Sequence, residues 1–206
     1  MNLKEKIDSR MAEVAVIGLG YVGLPLALEF ARAGFPVTGL DVDMRKVESL
    51  RQGRSYIADV SGEDVAAQVK AGRLRATTDY EALHTADVIF ICVPTPFDAM
   101  KAPDLSYIRA AAEGIAQRLR REQLVILQST TYPGTTEEVV LPILEKSGLK
   151  AGVDFCLGFS PERIDPGNRT WTFRNTPKVV GGLTPQCAEL SRALLACITP
   201  DNHVVA

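Results

Sequence analysis

The chain places glycines and an acid in a spacing suited to holding phosphates and sugar hydroxyls. Gly18-Leu19-Gly20-Tyr21-Val22-Gly23 follows a short apolar run and opens a stretch of helical pattern, and a second apolar run ends in Asp41. A glycine triplet alone is weak evidence; strand, glycine turn, helix, strand and acid in that order are the signature of a dinucleotide site. Each part has a task. Gly18 permits the tight turn, Gly20 leaves room for a pyrophosphate, and Gly23 lets helix and strand approach. The helix start offers N–H groups and a positive dipole end to the phosphates. Asp41 is placed to accept hydrogen bonds from the adenosine ribose, and a 2′-phosphate would meet like charge there, so NAD is expected rather than NADP. Lys46, one helical turn on, either flanks the same ribose or is a solvated lysine. The competing reading is a purely structural glycine turn; the completeness of the unit favours the nucleotide.

Three further loops follow apolar runs: Val93-Pro94-Thr95-Pro96, Ser129-Thr130-Thr131-Tyr132-Pro133-Gly134-Thr135, and a stretch from Ser160-Pro161-Glu162-Arg163 to Asn168. Ligands of open α/β sheets bind outside the carboxyl ends of the strands, so these loops and the glycine loop are expected to line one crevice. Thr130 is suited to positioning a water or a sugar hydroxyl, Glu162 to acting as a base, and Arg163 to gripping a phosphate or carboxylate. Plainer roles compete: a helix cap for Ser129 and Thr130, a surface ion pair for Glu162 and Arg163. His84 and His203 have no motif around them, and Cys92 sits among apolar neighbours as an inert thiol. No metal cluster, Ser-His-Asp set or P-loop is visible.

The elements that must position these residues alternate. Apolar, β-branched runs predict strands over 14–17, 36–41, 88–93, 124–128, 155–159 and 178–180, with a short one over 203–205. Helical patterns lie over 24–33, 43–52, 62–72, 106–120, 135–147 and 185–197. Alternation of this kind, with runs apolar on both faces, predicts an α/β fold: a doubly wound parallel sheet of the Rossmann type. Residues 1–12 are polar and form a short helix or a loose tail, and 13–206 read as one domain. Residues 160–177 are the longest irregular stretch, where a functional loop is expected.

Composition narrows the class further. The 206 residues carry a net charge of −2 with no basic stripe, so nucleic acid is not expected as a partner. Cys92, Cys156, Cys187 and Cys197 are too scattered for a zinc site or a disulfide scaffold, which suggests reduced thiols and a cytoplasmic protein. Glycines and Pro25 interrupt the apolar stretch over 14–28, so it is neither a signal sequence nor a bilayer span.

Taken together, Gly18-Leu19-Gly20-Tyr21-Val22-Gly23-Leu24-Pro25, Asp41-Val42-Asp43, Cys92-Val93-Pro94-Thr95-Pro96, Ser129-Thr130 and Ser160-Pro161-Glu162-Arg163 resemble the UDP-glucose/GDP-mannose dehydrogenase family. The likeness runs from about Glu13 to the end of the chain. Ser-Pro-Glu-Arg followed by Pro166-Gly167-Asn168 is most similar to the branch acting on UDP-N-acetylhexosamines. The UDP-glucose branch usually has Asn-Pro-Glu and a second glutamate four residues later, where Pro166 stands here beside Asp165.

The resemblance implies a four-electron oxidation of a sugar C6 alcohol to the acid, through a cysteine thiohemiacetal and thioester, with two NAD⁺. It places cofactor contacts on Gly18, Gly20, Tyr21, Val22, Gly23, Asp41 and Lys46. Val93, Thr95 and Thr130 belong to the same set, the two threonines nearer the nicotinamide. Thr130 corresponds to a threonine that orders the catalytic water and Glu162 to a carboxylate that assists thioester hydrolysis. Contacts to the UDP-sugar fall on Glu162, Arg163 and Asn168. The family's catalytic cysteine, lysine and asparagine, and the central helix that builds its homodimer, are expected outside this chain. The chain alone is therefore expected to bind NAD without oxidising a sugar. Two other readings share the glycine loop: a 6-phosphogluconate or 3-hydroxyacyl-CoA type of dehydrogenase, and a non-catalytic NAD-sensing module.

Overall fold

The computed structural model describes residues 1–97, 103–163, 175–199 and the backbone of 203–204. Eight strands form one sheet in the order β3-β2-β1-β4-β5-β6-β7-β8. They are β1 (Val14–Ile17), β2 (Val37–Leu40), β3 (Leu74–Thr77), β4 (Val88–Ile91), β5 (Leu124–Leu127), β6 (Cys156–Phe159), β7 (Val179–Gly182) and β8 (His203–Val204). The first six are parallel, and the chain order reverses between β1 and β4. That doubly wound arrangement is the Rossmann type expected from the alternation.

The central strands are apolar throughout because each feeds two cores. Val14 and Val16 of β1, Val88 and Phe90 of β4, and Leu124 and Ile126 of β5 face one apolar cluster. Their alternate neighbours Ala15 and Ile17, Ile89 and Ile91, and Val125 and Leu127 face the other. Parallel register aligns Val14 with Val88 and Val88 with Leu124, so side chains of like direction stack across the sheet. On one face lie α1 (Leu3–Asp8), α2 (Gly23–Arg32) and α7 (Pro185–Ala196); on the other lie α5 (Ser106–Ala116) and α6 (Leu141–Leu144). A third cluster joins Leu24 and Leu28 of α2 to α3 (Met44–Arg51) and α4 (Gly62–Lys70).

Several elements differ from expectation, each for a physical reason. Strand β3 was not anticipated: it lies on the sheet edge and only Leu74 and Ala76 are buried, so it shows no continuous apolar run. Strand β7 runs antiparallel to β6, a direction that its composition does not encode. The helical segment over 136–147 is a π turn, Thr136–Val140, then α6 and a 3-10 turn, Glu145–Ser147; Pro142, which lacks an N–H, sits at its centre. His84 ends a 3-10 turn, Tyr80–His84, and is exposed, with its Nε2 3.2 Å from Glu81. Val205 lies outside the described residues.

Near its N-terminus the chain is a docked helix rather than a loose tail. Asn2 and Glu5 form a reciprocal cap, and Leu3 and Ile7 enter the first core. Lys6 of α1 and Arg120 each lie 2.8 Å from the buried Asp87 carboxylate at the start of β4. Burial pushes the Asp87 carboxyl up, but the hydrogen bonds from Lys6, Arg120 and the Glu13 N–H outweigh it and hold the group below the usual carboxylate range. Among the described residues, no helix is long and apolar enough to cross a membrane, and the four cysteines are free.

Candidate functional site

At the carboxyl ends of β1, β2, β4 and β5 the structure opens into a crevice of about 540 Å³. Its walls bring together the glycine loop, Asp41 and Lys46, the Cys92–Thr95 turn, and Ser129 with Thr130. Tyr56 and Ile57, from the connection between α3 and α4, complete the wall.

The three motif glycines have different reasons to be glycine. Gly18 adopts φ +92°, and a Cβ there would lie 2.5 Å from the Cys92 carbonyl oxygen. A Cβ on Gly23 would lie 1.7 Å from the Gly18 carbonyl oxygen, so any side chain would push α2 off the end of β1. A Cβ on Gly20, by contrast, meets nothing within 4 Å. The protein's own packing does not require a glycine at 20; what it keeps clear is open crevice. Just beyond, α2 begins at Gly23 with no side-chain cap at Val22; the Leu24 N–H donates to the Gly20 carbonyl and Pro25 has no N–H, so the N–H groups open to water or a ligand are those of Tyr21, Val22 and Gly23.

Asp41 is buried at the end of β2, 6 % exposed. Its Oδ2 accepts the Leu19 N–H at 2.8 Å and lies 3.0 Å from Lys46 Nζ, and its Oδ1 accepts the Asp43 N–H at 2.9 Å. The carboxylate thus braces the glycine loop while Oδ1 keeps acceptor capacity. Lys46 is half-buried and paired, not a solvated lysine. Tyr21 stands exposed at the rim.

Across the crevice, Thr95 Oγ1 donates to the Thr130 carbonyl oxygen at 2.6 Å and ties the loops after β4 and β5 together. Ser129 donates through Oγ to the Val93 carbonyl at 2.8 Å and is buried, so it stitches β4 to β5 instead of capping a helix. The Thr130 side chain is exposed at the crevice. Cys92 is buried, and burial pushes its thiol up, as does the Glu162 carboxylate, which leaves it a poor nucleophile.

Glu162 is not a surface carboxylate. Its side chain is 3 % exposed and lies 3.0 and 3.1 Å from the ammonium of Lys178, itself fully buried. Gln128 Nε2 donates to the same carboxylate at 2.6 Å and the Arg163 N–H at 2.7 Å. Each carboxylate oxygen therefore accepts two hydrogen bonds, which fix the Glu162 side chain in place. Burial pulls the Lys178 ammonium down, against the Glu162 carboxylate that pushes it up. Arg163 is exposed, and Asn168 lies outside the described residues.

Lys178 and Gln128 were not singled out in the sequence, although one signal was present. A lysine opening an apolar strand after Pro177 has to find an anion or distort the strand. Among the described residues no group of His, Cys, Asp or Glu could hold a metal ion.

Removing one partner of a buried pair is more damaging than removing both. Lys178→Met is expected to lower the unfolding free energy by about 3–5 kcal/mol, and Lys178→Met with Glu162→Gln by clearly less. Urea unfolding of the two variants checks this; equal losses would mean that the pair is not a unit.

Residues 12–199 match the UDP-glucose/GDP-mannose dehydrogenase family, NAD binding domain. The UDP-N-acetyl-D-glucosamine 6-dehydrogenase of Pseudomonas aeruginosa is 43% identical over 193 residues, which cover 93% of this chain and 45% of that protein. Among solved structures, a UDP-D-ManNAc dehydrogenase from Pyrococcus horikoshii superposes with a TM-score of 0.89 at 33% identity, covering 94% of this chain and 46% of the other. A ternary complex of GDP-mannose dehydrogenase from Pseudomonas aeruginosa gives 0.86, also at 33% identity, over 93% and 45%. The chain thus spans a little under half the length of these relatives. It belongs to the UDP-glucose/GDP-mannose dehydrogenase family, of which it carries the NAD-binding domain.

Proposed function

We propose that this chain holds NAD for a nucleotide-sugar 6-dehydrogenase that oxidises the C6 alcohol of a UDP-N-acetylhexosamine to the acid, with two NAD⁺ per sugar. The observation that carries the reading is the crevice itself. An uncapped helix start, a glycine whose missing side chain leaves open space, and a buried carboxylate converge at the carboxyl ends of the strands. These groups fit a dinucleotide: the N–H groups of Tyr21, Val22 and Gly23 at the start of α2 suit the pyrophosphate, Gly20 leaves it room, and Asp41 Oδ1 suits the adenosine ribose. Lys46 keeps Asp41 paired and would flank the same ribose. NAD, when bound, accepts hydride from the sugar.

The chain's other residues orient and exclude. Thr95 and Thr130 hold two loops together; we assign both to the nicotinamide end, with the Thr130 hydroxyl ordering a water. Glu162 supplies a negative charge behind Cys92, and we assign it, with Arg163 and Asn168, to the sugar side of the site. The sugar's class rests on the names of the relatives and on Ser-Pro-Glu-Arg. A homodimer of the longer protein, and its place in the cytoplasm, belong to the same proposal.

Calorimetric titration should show NAD⁺ binding to this chain far more tightly than NADP⁺. Asp41→Ala should weaken NAD⁺ roughly ten- to a hundredfold, the worth of a hydrogen bond to a charged group, and Gly20→Val should abolish binding without unfolding the protein. Equal affinity for the two cofactors would remove Asp41 from the site.

A second measurement concerns the reaction. The chain alone should yield no NADH from UDP-sugars, whereas a protein continuing it to the length of its relatives should yield two NADH for each UDP-N-acetylhexosamine consumed. One NADH per sugar would contradict the four-electron reading.

A further inference from the structure

The glycine loop is held from a side that its motif does not include. Leu19 is fixed through both polar groups of its backbone: its N–H donates to Asp41 Oδ2 at 2.8 Å, and its carbonyl accepts the Tyr56 hydroxyl at 2.7 Å. The Leu19 side chain is fully buried and fills space over Gly39 of β2, where an added Cβ would come within 2.7 Å of Leu19 Cδ2. Tyr56 packs, half-buried, on the third apolar cluster, the one that also holds Leu19, Val47, Leu50 and Val65. The unit of α3, α4 and their connection is therefore braced against the loop by one apolar contact surface and one hydrogen bond.

Peptide geometry turns that brace into an orientation. A trans peptide points its carbonyl and its N–H in opposite directions, and no cis peptide occurs among the described residues. The carbonyl that Tyr56 captures belongs to the same peptide unit as the Gly20 N–H. Holding the one toward the hydroxyl aims the other away from Tyr56, and Gly20 itself lines the crevice.

We infer that Tyr56 is a positioning residue of the cofactor site, its hydroxyl fixing the Leu19–Gly20 peptide so that the Gly20 N–H is presented to the pyrophosphate of NAD. The inference rests on the NAD reading of the crevice. Burial pushes the Tyr56 phenol up, as do the Asp41 and Asp43 carboxylates, so the hydroxyl keeps its proton and stays a donor near neutral pH. A phenylalanine at 56 keeps the ring and its packing and loses only the hydrogen bond.

The test is calorimetric titration of this chain with NAD⁺, comparing the parent with Tyr56→Phe and Tyr56→Leu, alongside thermal unfolding and the amide resonance of Gly20. Tyr56→Phe should weaken NAD⁺ roughly two- to tenfold, the range for one neutral hydrogen bond. Its unfolding midpoint should stay near that of the parent, and the Gly20 amide should move in the ligand-free protein, a change that looser packing elsewhere would not produce. Tyr56→Leu should weaken binding at least as much. Unchanged NAD⁺ affinity in Tyr56→Phe, or a Gly20 amide that does not move, overturns the inference, and a loss confined to Tyr56→Leu assigns the effect to the ring instead. Failure of the parent itself to bind NAD⁺ defeats the NAD reading, a result separate from any difference among the variants.

Discussion

The site depends on how closely one helix start approaches two strand ends. The carbonyl of Gly18 and the α-carbon of Gly23 are packed so tightly that no side chain fits between them, and Gly18 itself touches the Cys92 backbone at the end of β4. Because of that contact, α2 begins immediately beside β1, at the cleft where the chain order reverses between β1 and β4. A bulkier turn would carry the helix away and leave Asp41 and the loops after β4 and β5 without a common centre. The steric constraint comes first, and the electrostatics of the helix start act only because it is met.

Two carboxylates are held in different ways. Asp41 is buried yet shares its oxygens between the glycine loop, Lys46 and the backbone of Asp43, with acceptor capacity left at the crevice. Glu162 is saturated by Lys178, Gln128 and a backbone N–H. The first geometry suits recognition of hydroxyls. The second suits a charge that stays fixed, and it ties β5, the loop after β6 and β7 into one block behind Cys92.

Much of this was legible in the sequence. Strands β1, β4 and β5 announce themselves because burial on both faces demands unbroken apolar residues. The glycine loop and Asp41 are legible because their spacing is set by local geometry. Edge strand β3 is hidden because half of its residues face water, and the direction of β7 because hydropathy carries no sign along the chain. Lys178 is hidden because a charge just before an apolar strand reads as a strand end until its partner, 16 residues earlier, is seen. Tyr56 lies 37 residues from the carbonyl it holds, and only the packing of α3 and α4 brings the two together. Asp41 and the glycines belong to one continuous unit; Tyr56 and Lys178 are joined to the site by tertiary structure alone.

A second cleft, of about 420 Å³, lies by the amino ends of β5 and β6, lined by Leu3, Gln123, Val153, Cys156 and Leu190 among others, and it makes the central claim open to a direct contest. Backbone amide resonances of the chain, followed while NAD⁺ is added, report where the cofactor sits. The largest shifts are expected at Gly18 through Gly23, at Asp41, and at the turns after β4 and β5, with the residues around Val153 unmoved. Shifts centred on Val153 and Cys156, with the glycine loop silent, would contradict the account.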